Sequence, residues 1–148
     1  MTIRGQGRNY FRPALVAAQT LLHEAQLPTL DLTAAHLEHF IACGSDKALD
    51  GVVGLEMYLP HALLRSLAVA SAKRGNGIGQ ALLAEAERHA GEQGVREIYL
   101  LTTTAERFFS RNSYERIARD EAPAAIRATQ EFTALCPASA AFMRKRLT

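Results

Sequence analysis

A run of closely spaced glycines lies between an apolar segment and a helical pattern, and it restricts what this chain can fold into. Residues 62–70 before the run alternate as a strand does, and apolar residues after it recur at helical spacing. Glycine permits a tight turn with close backbone approach to a ligand, and the free N–H groups of a helix start favour phosphate oxygens. The sequence therefore predicts a phosphate-binding strand-turn-helix unit, formed by Arg74, Gly75, Asn76, Gly77, Ile78 and Gly79.

The spacing of these glycines argues against two common nucleotide-binding motifs. A dinucleotide fingerprint needs G-x-G-x-x-G, but counting from Gly75 ends on Gln80, and counting from Gly77 ends on Leu82. The chain also lacks the Gly-Lys-Ser/Thr ending of a P-loop. At this point an ordinary strand-to-helix turn without a ligand remains an open alternative.

The pattern along the chain predicts one α/β domain (α+β) over residues 1–148, with a mixed sheet. The strand before the glycines and the strand after the following helix should run parallel, because a helical crossover joins them. Helices are expected from Pro13 onward and over residues 31–39, 78–90, 105–111 and 124–132. Strands are expected over residues 40–43, 51–58, 62–70, 95–101, 114–118 and 141–147.

Composition and charge restrict the location and the partners. Lys+Arg number 17 and Asp+Glu number 15, so the net charge of +2 gives no basic face for nucleic acid. No apolar stretch reaches the ~18 residues that a membrane span needs. Residues 1–12 are polar and lack the apolar core of a signal peptide, and the only cysteines are Cys43 and Cys136. These features predict a cytoplasmic protein that binds neither nucleic acid nor membrane.

Two blocks of the chain resemble the GNAT superfamily of N-acetyltransferases. The first matches the family's acetyl-CoA signature: an Arg or Gln, two residues, a Gly, one residue, and a Gly or Ala, all after a strand. The second matches a short helix that ends in aromatic residues. The resemblance implies the GNAT fold, a mixed and mostly antiparallel sheet of about six to seven strands flanked by helices. The matching residues are Arg74, Gly77 and Gly79 in the first block and Ala105, Phe108, Phe109 and Tyr114 in the second.

The resemblance also implies acetyl-CoA as cosubstrate and indicates which residues bind it. In the family the strand before the turn pairs with the pantetheine arm, and the turn wraps the pyrophosphate. Thr102 stands where the family often has an asparagine, so its hydroxyl could bond the pantetheine; a purely structural threonine is the alternative. The implied cofactor residues are Leu67, Ala68, Val69, Arg74, Gly75, Asn76, Gly77, Ile78, Gly79, Thr102, Phe108 and Phe109.

Phe109 departs from the family pattern. Many members carry a tyrosine at this position, and it protonates the departing CoA thiolate. The phenylalanine has no proton to give, so water, Ser110 or Tyr114 would have to supply it, or the thiolate leaves without an acid.

Three residues on the central strands are candidates for work on the acceptor. Glu56 is predicted to take the proton of the amine, directly or through water, with Tyr58 beside it as a substrate-binding residue. Arg65 is expected to share a face with Leu67 and Val69 and to bind a carboxylate or another oxyanion of the acceptor bidentately. The alternatives are a surface glutamate paired with a cation, and a salt bridge from Arg65 to Glu56 or another acid.

The segment between the last two strands is expected to form a wall of the acceptor pocket. It spans residues 119–140, and Arg127 and Thr129 are weaker candidates on it. The five histidines lack metal-ligand spacing, so no metal is predicted.

A closer resemblance concerns the acceptor. Residues 54–58, 64–69, 100–106 and 135–140 are similar to GNAT proteins encoded in bacterial arsenic-resistance operons, and the Leu-Thr-Thr run is similar to amino-acid N-acetyltransferases such as N-acetylglutamate synthase. Both likenesses imply a small, amino-acid-like amine as acceptor, and the first implies a role in resistance to arsenic or a toxic analogue. The alternatives are a non-catalytic acyl-CoA-binding regulatory module and a protein N-acetyltransferase. A homodimer is also open, since family members are often dimers.

Overall fold

A six-stranded mixed sheet with helices on both faces forms the centre of the molecule. The structure is a computed structural model, and it describes residues 9–147. Residues 1–8, which make up most of the predicted polar N-terminal segment, lie outside the described residues. The strands are β1 (Phe40–Ser45), β2 (Ala48–Tyr58), β3 (His61–Val69), β4 (Glu97–Thr102), β5 (Glu115–Arg116) and β6 (Ala141–Arg146). The α-helices are α1 (Leu15–Glu24), α2 (Ile78–Glu92), α3 (Glu106–Arg111) and α4 (Ala124–Arg127).

The strands are ordered β1-β2-β3-β4-β6-β5, and every neighbouring pair is antiparallel except β3 and β4. This confirms the parallel pair that the crossover helix predicts and the mixed, mostly antiparallel sheet. The parallel pairing covers only residues 61–63 of β3 against residues 97–99 of β4. Beyond it the two strands no longer pair with each other, so they diverge and open a cleft towards their carboxyl ends.

Three apolar clusters bind the layers together. Helix α2 buries Leu82, Leu83 and Ala86 against one face of β2 and β3. On the other face, α1 packs with Phe40, Val52 and Ala68. A third cluster, of Leu63, Tyr99, Ala122, Ile126 and Phe142, attaches α4 beside the cleft.

A bulge in β3 reverses the direction of its side chains. Val52 lies opposite Ala68 but Gly54 lies opposite Arg65, so β3 carries one residue more than β2 over this stretch. Ser66 takes a left-handed backbone conformation there, with φ of 62°. An inserted residue shifts the two-residue alternation by one. Leu67 consequently packs on the α2 side.

The expected shared face of Arg65, Leu67 and Val69 is therefore wrong. Leu67 and Val69 both pack against the α2 cluster, whereas Arg65 points to the opposite side, where it meets Asp31 and Glu56. The period-two pattern of the sequence contains no sign of the bulge.

Three predicted elements are shorter than expected. The helix expected over residues 31–39 is a single 3₁₀ turn at His36–His39, and the strand over residues 114–118 is only Glu115–Arg116. The helix over residues 124–132 stops at Arg127 and is followed by a π-helical turn, Glu131–Leu135. Thr129 accounts for this break, because its hydroxyl donates to the carbonyl of Ile126 (2.8 Å) and accepts from the Phe132 N–H (3.2 Å).

Within residues 9–147, no helix combines the length and the apolar character needed to cross a bilayer.

Candidate active site

The glycine turn forms an open cradle at the start of α2. Gly77 directly precedes the first helical residue and has a φ of 76°, and Gly75 has a φ of 85°. Residues with a Cβ rarely adopt this left-handed backbone conformation. A Cβ added at either glycine would meet no atom within 4 Å, so the backbone borders open space. No side chain caps the helix, which leaves the N–H groups of its first turn for a ligand.

Cationic and polar side chains surround this cradle. A cavity beside it is lined by Lys73, Arg74 and Arg111 together with the turn itself. Three positive side chains, free helical N–H groups and the helix dipole suit the two negative charges of a diphosphate. The residues that line the cradle therefore fit a diphosphate-bearing cofactor. The glycine turn alone, without these cationic side chains, does not establish that fit.

A second cavity, of about 230 Å³, lies between the diverging ends of β3 and β4. Leu67 and Thr102 come from the two strands, and Phe109 of α3 is buried at its lining. The π-helical turn and the residues after it close another side with Glu131, Leu135, Cys136 and Pro137. Part of the segment 119–140 thus lines the cleft, and its role as a wall of an acceptor pocket stays a prediction.

The two cavities include most of the candidate residues. The cleft is lined by Arg65, Leu67, Thr102 and Phe109, and the cradle by Val69, Arg74, Gly75, Gly77, Ile78, Gly79 and Phe108. Ala68 is buried on the α1 side, and the Asn76 amide donates to the Lys73 carbonyl within the turn. Glu56 and Tyr58 lie behind the lining of the cleft, in contact with Arg65 or with each other.

Arg65 is the centre of a buried polar network. Its side chain is 0% exposed. Nη1 donates to Asp31 (2.5 Å) and to Glu56 (2.8 Å), and Nη2 donates to the other oxygen of Asp31 (2.8 Å). Nε donates to the Ser66 hydroxyl at 3.1 Å. The guanidinium thus makes the salt bridge with Glu56 that the sequence left open, and an acceptor carboxylate could reach it only by displacing Asp31 or Glu56.

The charges of this network alter its titration. Burial raises the pKa of Asp31, but hydrogen bonds from Arg65 and its charge outweigh that effect and leave the pKa below the ordinary value. The Tyr58 hydroxyl donates to Glu56 at 2.5 Å. Burial first, and then this bond to a carboxylate, raise the pKa of Tyr58 well above its usual range.

One group of three possible metal ligands occurs in the described part of the chain: Asp31, His36 and Glu56. Arg65 Nη1 contacts both carboxylates of that group. The guanidinium therefore supplies the positive charge that a metal ion would bring.

Glu131 and Cys136 line the cleft, and sequence analysis assigned neither of them to the site. Glu131 is 7% exposed, and its Oε2 lies 4.0 Å from Arg65 Nη2 and 3.8 Å from Cys136 Sγ. Burial raises the pKa of Glu131, although Arg65 opposes it. Burial and the neighbouring Glu131 raise the pKa of the Cys136 thiol to about 12. A glutamate in a polar helical stretch reads as an exposed residue, so only the π-helical turn reveals its position.

Three other hydroxyls that sequence analysis considered have different partners or positions. Thr102 Oγ1 accepts from the Ala105 N–H at 3.0 Å, just before α3. The buried Tyr114 hydroxyl donates to Glu87 of α2 at 2.9 Å and lines neither cavity. Ser110 is exposed outside both cavities. Neither Tyr114 nor Ser110 therefore lines the cleft.

Splayed parallel strands, a cationic cradle at a helix start and a cleft between the strands are arranged to suit a diphosphate-bearing cofactor. A family model described as the acetyltransferase (GNAT) family matches residues 8–118. The chain belongs to this family.

Individual relatives support the same fold. An uncharacterized N-acetyltransferase of Chlorobaculum tepidum is 33% identical over 92 residues, which cover 62% of this chain and 59% of that protein. N-acetylglutamate synthase from Neisseria gonorrhoeae, solved with coenzyme A and N-acetyl-glutamate, has a TM-score of 0.83 at 18% identity, over 98% of this chain and 36% of its own. A Mycobacterium tuberculosis protein in complex with CoA has a TM-score of 0.78 at 18% identity, over 95% of this chain and 99% of its own.

Proposed function

We propose that this chain transfers the acetyl group of acetyl-CoA to the primary amine of a small, amino-acid-like acceptor. The observation that carries the proposal is the alignment of the two cavities along β3, with the cleft beside Leu67 and the diphosphate cradle beside Val69. A cofactor with its diphosphate on α2 can extend its thioester arm along β3 into the cleft. Solved relatives contain CoA, which supports the choice of cofactor.

Acetyl-CoA would be held at both ends of this path. The diphosphate would accept hydrogen bonds from the first turn of α2, with Arg74 and Arg111 as counter-charges. Beyond Leu63, β3 has no strand partner on its β4 side. Its backbone groups near Leu67 and Val69 can therefore bond the pantetheine amides and the oxyanion that forms on the thioester carbonyl.

The reaction needs a neutral amine and a path for its proton. The sequence predicts Glu56 as the acceptor of this proton, but Glu56 lies behind the cleft lining with both carboxylate oxygens bonded to Arg65 and Tyr58, so it could act only through water. Positioning contributes the rest, because an amine held against a thioester is already reactive. The departing CoA thiolate can take a proton from water.

The acceptor is proposed on the size and the wall of the cleft. About 230 Å³ is a small volume for a cleft that must also admit the acetyl end of the cofactor. Glu131, Leu135, Cys136 and Pro137 also close one side of the cleft, which favours a small acceptor over an extended peptide. Resistance to arsenic or to a toxic amino-acid analogue, a cytoplasmic location and a homodimer remain predictions of the resemblance.

Release of CoA thiol from acetyl-CoA, measured against a panel of amino acids and their analogues, tests this function. Saturable turnover with one class of small amine is the expected result. Binding of acetyl-CoA without turnover of any amine would instead favour the regulatory module, which Phe109 keeps open because it has no proton to donate.

A further inference from the structure

We propose that Glu131 is a catalytic residue that binds the ammonium group of the acceptor and receives its proton. The inference rests on the proposed function and deepens it, since it assigns the acceptor end of the cleft. Glu131 lies on the π-helical turn, whereas Glu56, which sequence analysis predicts as the proton acceptor, lies on β2.

Glu131 is one of the few ionisable side chains on the lining of the cleft. Among the described residues, the ionisable side chains that line the cleft are Arg65, Glu131 and Cys136. Arg65 donates to Asp31, Glu56, Ser66 and the Pro28 carbonyl, so it is occupied within the protein. Cys136 is held as a thiol by its raised pKa. Glu131 is therefore the lining carboxyl that can exchange a proton with a molecule in the cleft.

The buried carboxylates around Arg65 outnumber the single guanidinium. Asp31, Glu56 and Glu131 surround one guanidinium, and only the first two hydrogen-bond to it. Glu131 stands 4.0 Å from Arg65, at the limit of an ion pair. Three carboxylates against one cation leave negative charge in a buried place. A primary ammonium entering the cleft would balance it, which favours an acceptor recognised through its amine.

The surroundings of the Glu131 carboxyl also favour a role as proton acceptor. Burial and the charges of Asp31 and Glu56 raise its pKa, whereas Arg65 and the Cys136 thiol lower it, and the net shift is upward. A proton acceptor works best when its pKa lies near the working pH. A carboxyl shifted upward, beside the space for an amine, suits that task better than Glu56, whose two oxygens already accept from Arg65 and Tyr58.

The π-helical turn explains how this carboxyl is held. The Cys136 N–H donates to the Glu131 carbonyl at 3.1 Å, five residues back along the chain. This wider turn brings Glu131 and Cys136 to the same side, where Cys136 Sγ meets Glu131 Oε2. Such π turns frequently occur at functional sites.

The acceptor ammonium carries three protons, of which one stays on the amide nitrogen of the product. The acceptor ammonium gives one proton to the Glu131 carboxylate, and the neutral nitrogen forms a bond to the thioester carbonyl carbon. The carbon–sulfur bond then breaks with its electron pair on the CoA sulfur. A second proton leaves the nitrogen and reaches that sulfur through water, while Glu131 returns its proton to solvent.

Glu131→Gln tests the proposal, with Glu131→Asp as the conservative variant and Glu92→Gln, on the exposed end of α2, as the control. With the best amine of the panel, kcat/KM of Glu131→Gln should fall about 10²–10⁴-fold. The pH–rate profile of Glu131→Gln should lose its acidic limb, which is the fall in kcat/KM at low pH. Glu131→Asp should partly restore this limb. Acetyl-CoA affinity should not change in any of them. Loss of that limb in Glu56→Gln, and its retention in Glu131→Gln, would overturn the proposal.

A second measurement tests the role of Glu131 even if no amine is turned over. That absence of turnover would itself count against the proposed function. Carbon-13 NMR of glutamate carboxyls in the CoA-bound protein, with the Glu131 signal assigned by Glu131→Gln, reports its titration directly. The proposal requires a titration above that of an ordinary glutamate and a shift of the signal on addition of butylamine. Titration at the ordinary value, without response to the amine, would overturn it.

Discussion

Arg65 shows how much one residue can determine in this site. A single arginine in an apolar strand is bonded to Asp31, Glu56 and Ser66, from three separate parts of the chain, and its side chain is fully buried. Removing one partner of such a network leaves uncompensated buried charge, which costs far more than a surface pair is worth. Arg65 therefore stabilises the cleft whatever its relation to the acceptor.

Arg65→Met should lower the free energy of unfolding by about 3–5 kcal/mol, because Asp31 and Glu56 would remain buried without their cation. Urea unfolding measures this. The control is Arg116→Met, which breaks the exposed pair with Glu106 (3.4 Å) and should cost less than about 1 kcal/mol. Equal losses in the two variants would contradict the structural role of Arg65.

Glu56→Gln should lower kcat at neutral pH and leave acetyl-CoA binding nearly unchanged. The amide keeps the shape of the side chain but weakens its bonds to Arg65 and Tyr58, which hold the back of the cleft. Steady-state kinetics and calorimetry on the same preparation check the two halves of this prediction. Unchanged turnover at every pH would remove Glu56 from the mechanism.

At the scale of elements, the start of α2 is the feature on which the proposed cofactor binding depends. Gly77 sits at the mouth of the cradle with open space where a side chain would project. Gly77→Glu places bulk and negative charge in that space, so it should abolish CoA binding. Gly91→Glu, which also projects into open space but near the other end of α2, is the control. Unaltered calorimetric affinity of the Gly77 variant would contradict the cradle.

The contact between the 3₁₀ turn His36–His39 and α2 should make stability depend on pH. His39 Nδ1 lies 3.1 Å from His89 Nε2, and burial, followed by the charge of His39, lowers the pKa of His89. The folded state therefore binds fewer protons than the unfolded one. This contribution is complete above the unfolded value of about 6.5 and is lost as pH falls below it.

Melting temperatures between pH 7.5 and pH 5 check this dependence. The wild type should lose stability as pH falls, and His89→Gln should lose less over the same interval because it removes the titrating pair. A parallel decline in both proteins would show that the histidine pair does not carry the effect.

At the scale of the whole molecule, the sequence was sufficient for the features that local patterns encode. The glycines between residues 74 and 79, the helix that follows and the parallel crossover are recognisable because each depends on neighbours in the chain. These features establish the parallel strand pair and the open cradle at the start of α2. The path proposed for the cofactor rests on them.

What sequence analysis missed depends on non-local contacts or on single insertions. The bulge at Ser66 adds a residue without changing the apolar pattern, so Arg65 was expected on the wrong face. Asp31 meets Arg65 across 34 positions of the chain, and Glu131 reaches the cleft only because Thr129 interrupts a helix. None of these arrangements has a periodic signal.

The most direct test of the account is calorimetric titration of the purified protein with CoA and, separately, with pantetheine, which lacks the diphosphate together with the adenosine 3′-phosphate. If the amides of α2 hold a diphosphate, CoA should bind roughly a hundredfold more tightly, since charge-assisted hydrogen bonds contribute about 1.5–3 kcal/mol each. The Gly77→Glu variant should lose that difference. Equal affinity for both compounds, or no heat with CoA, would contradict the account.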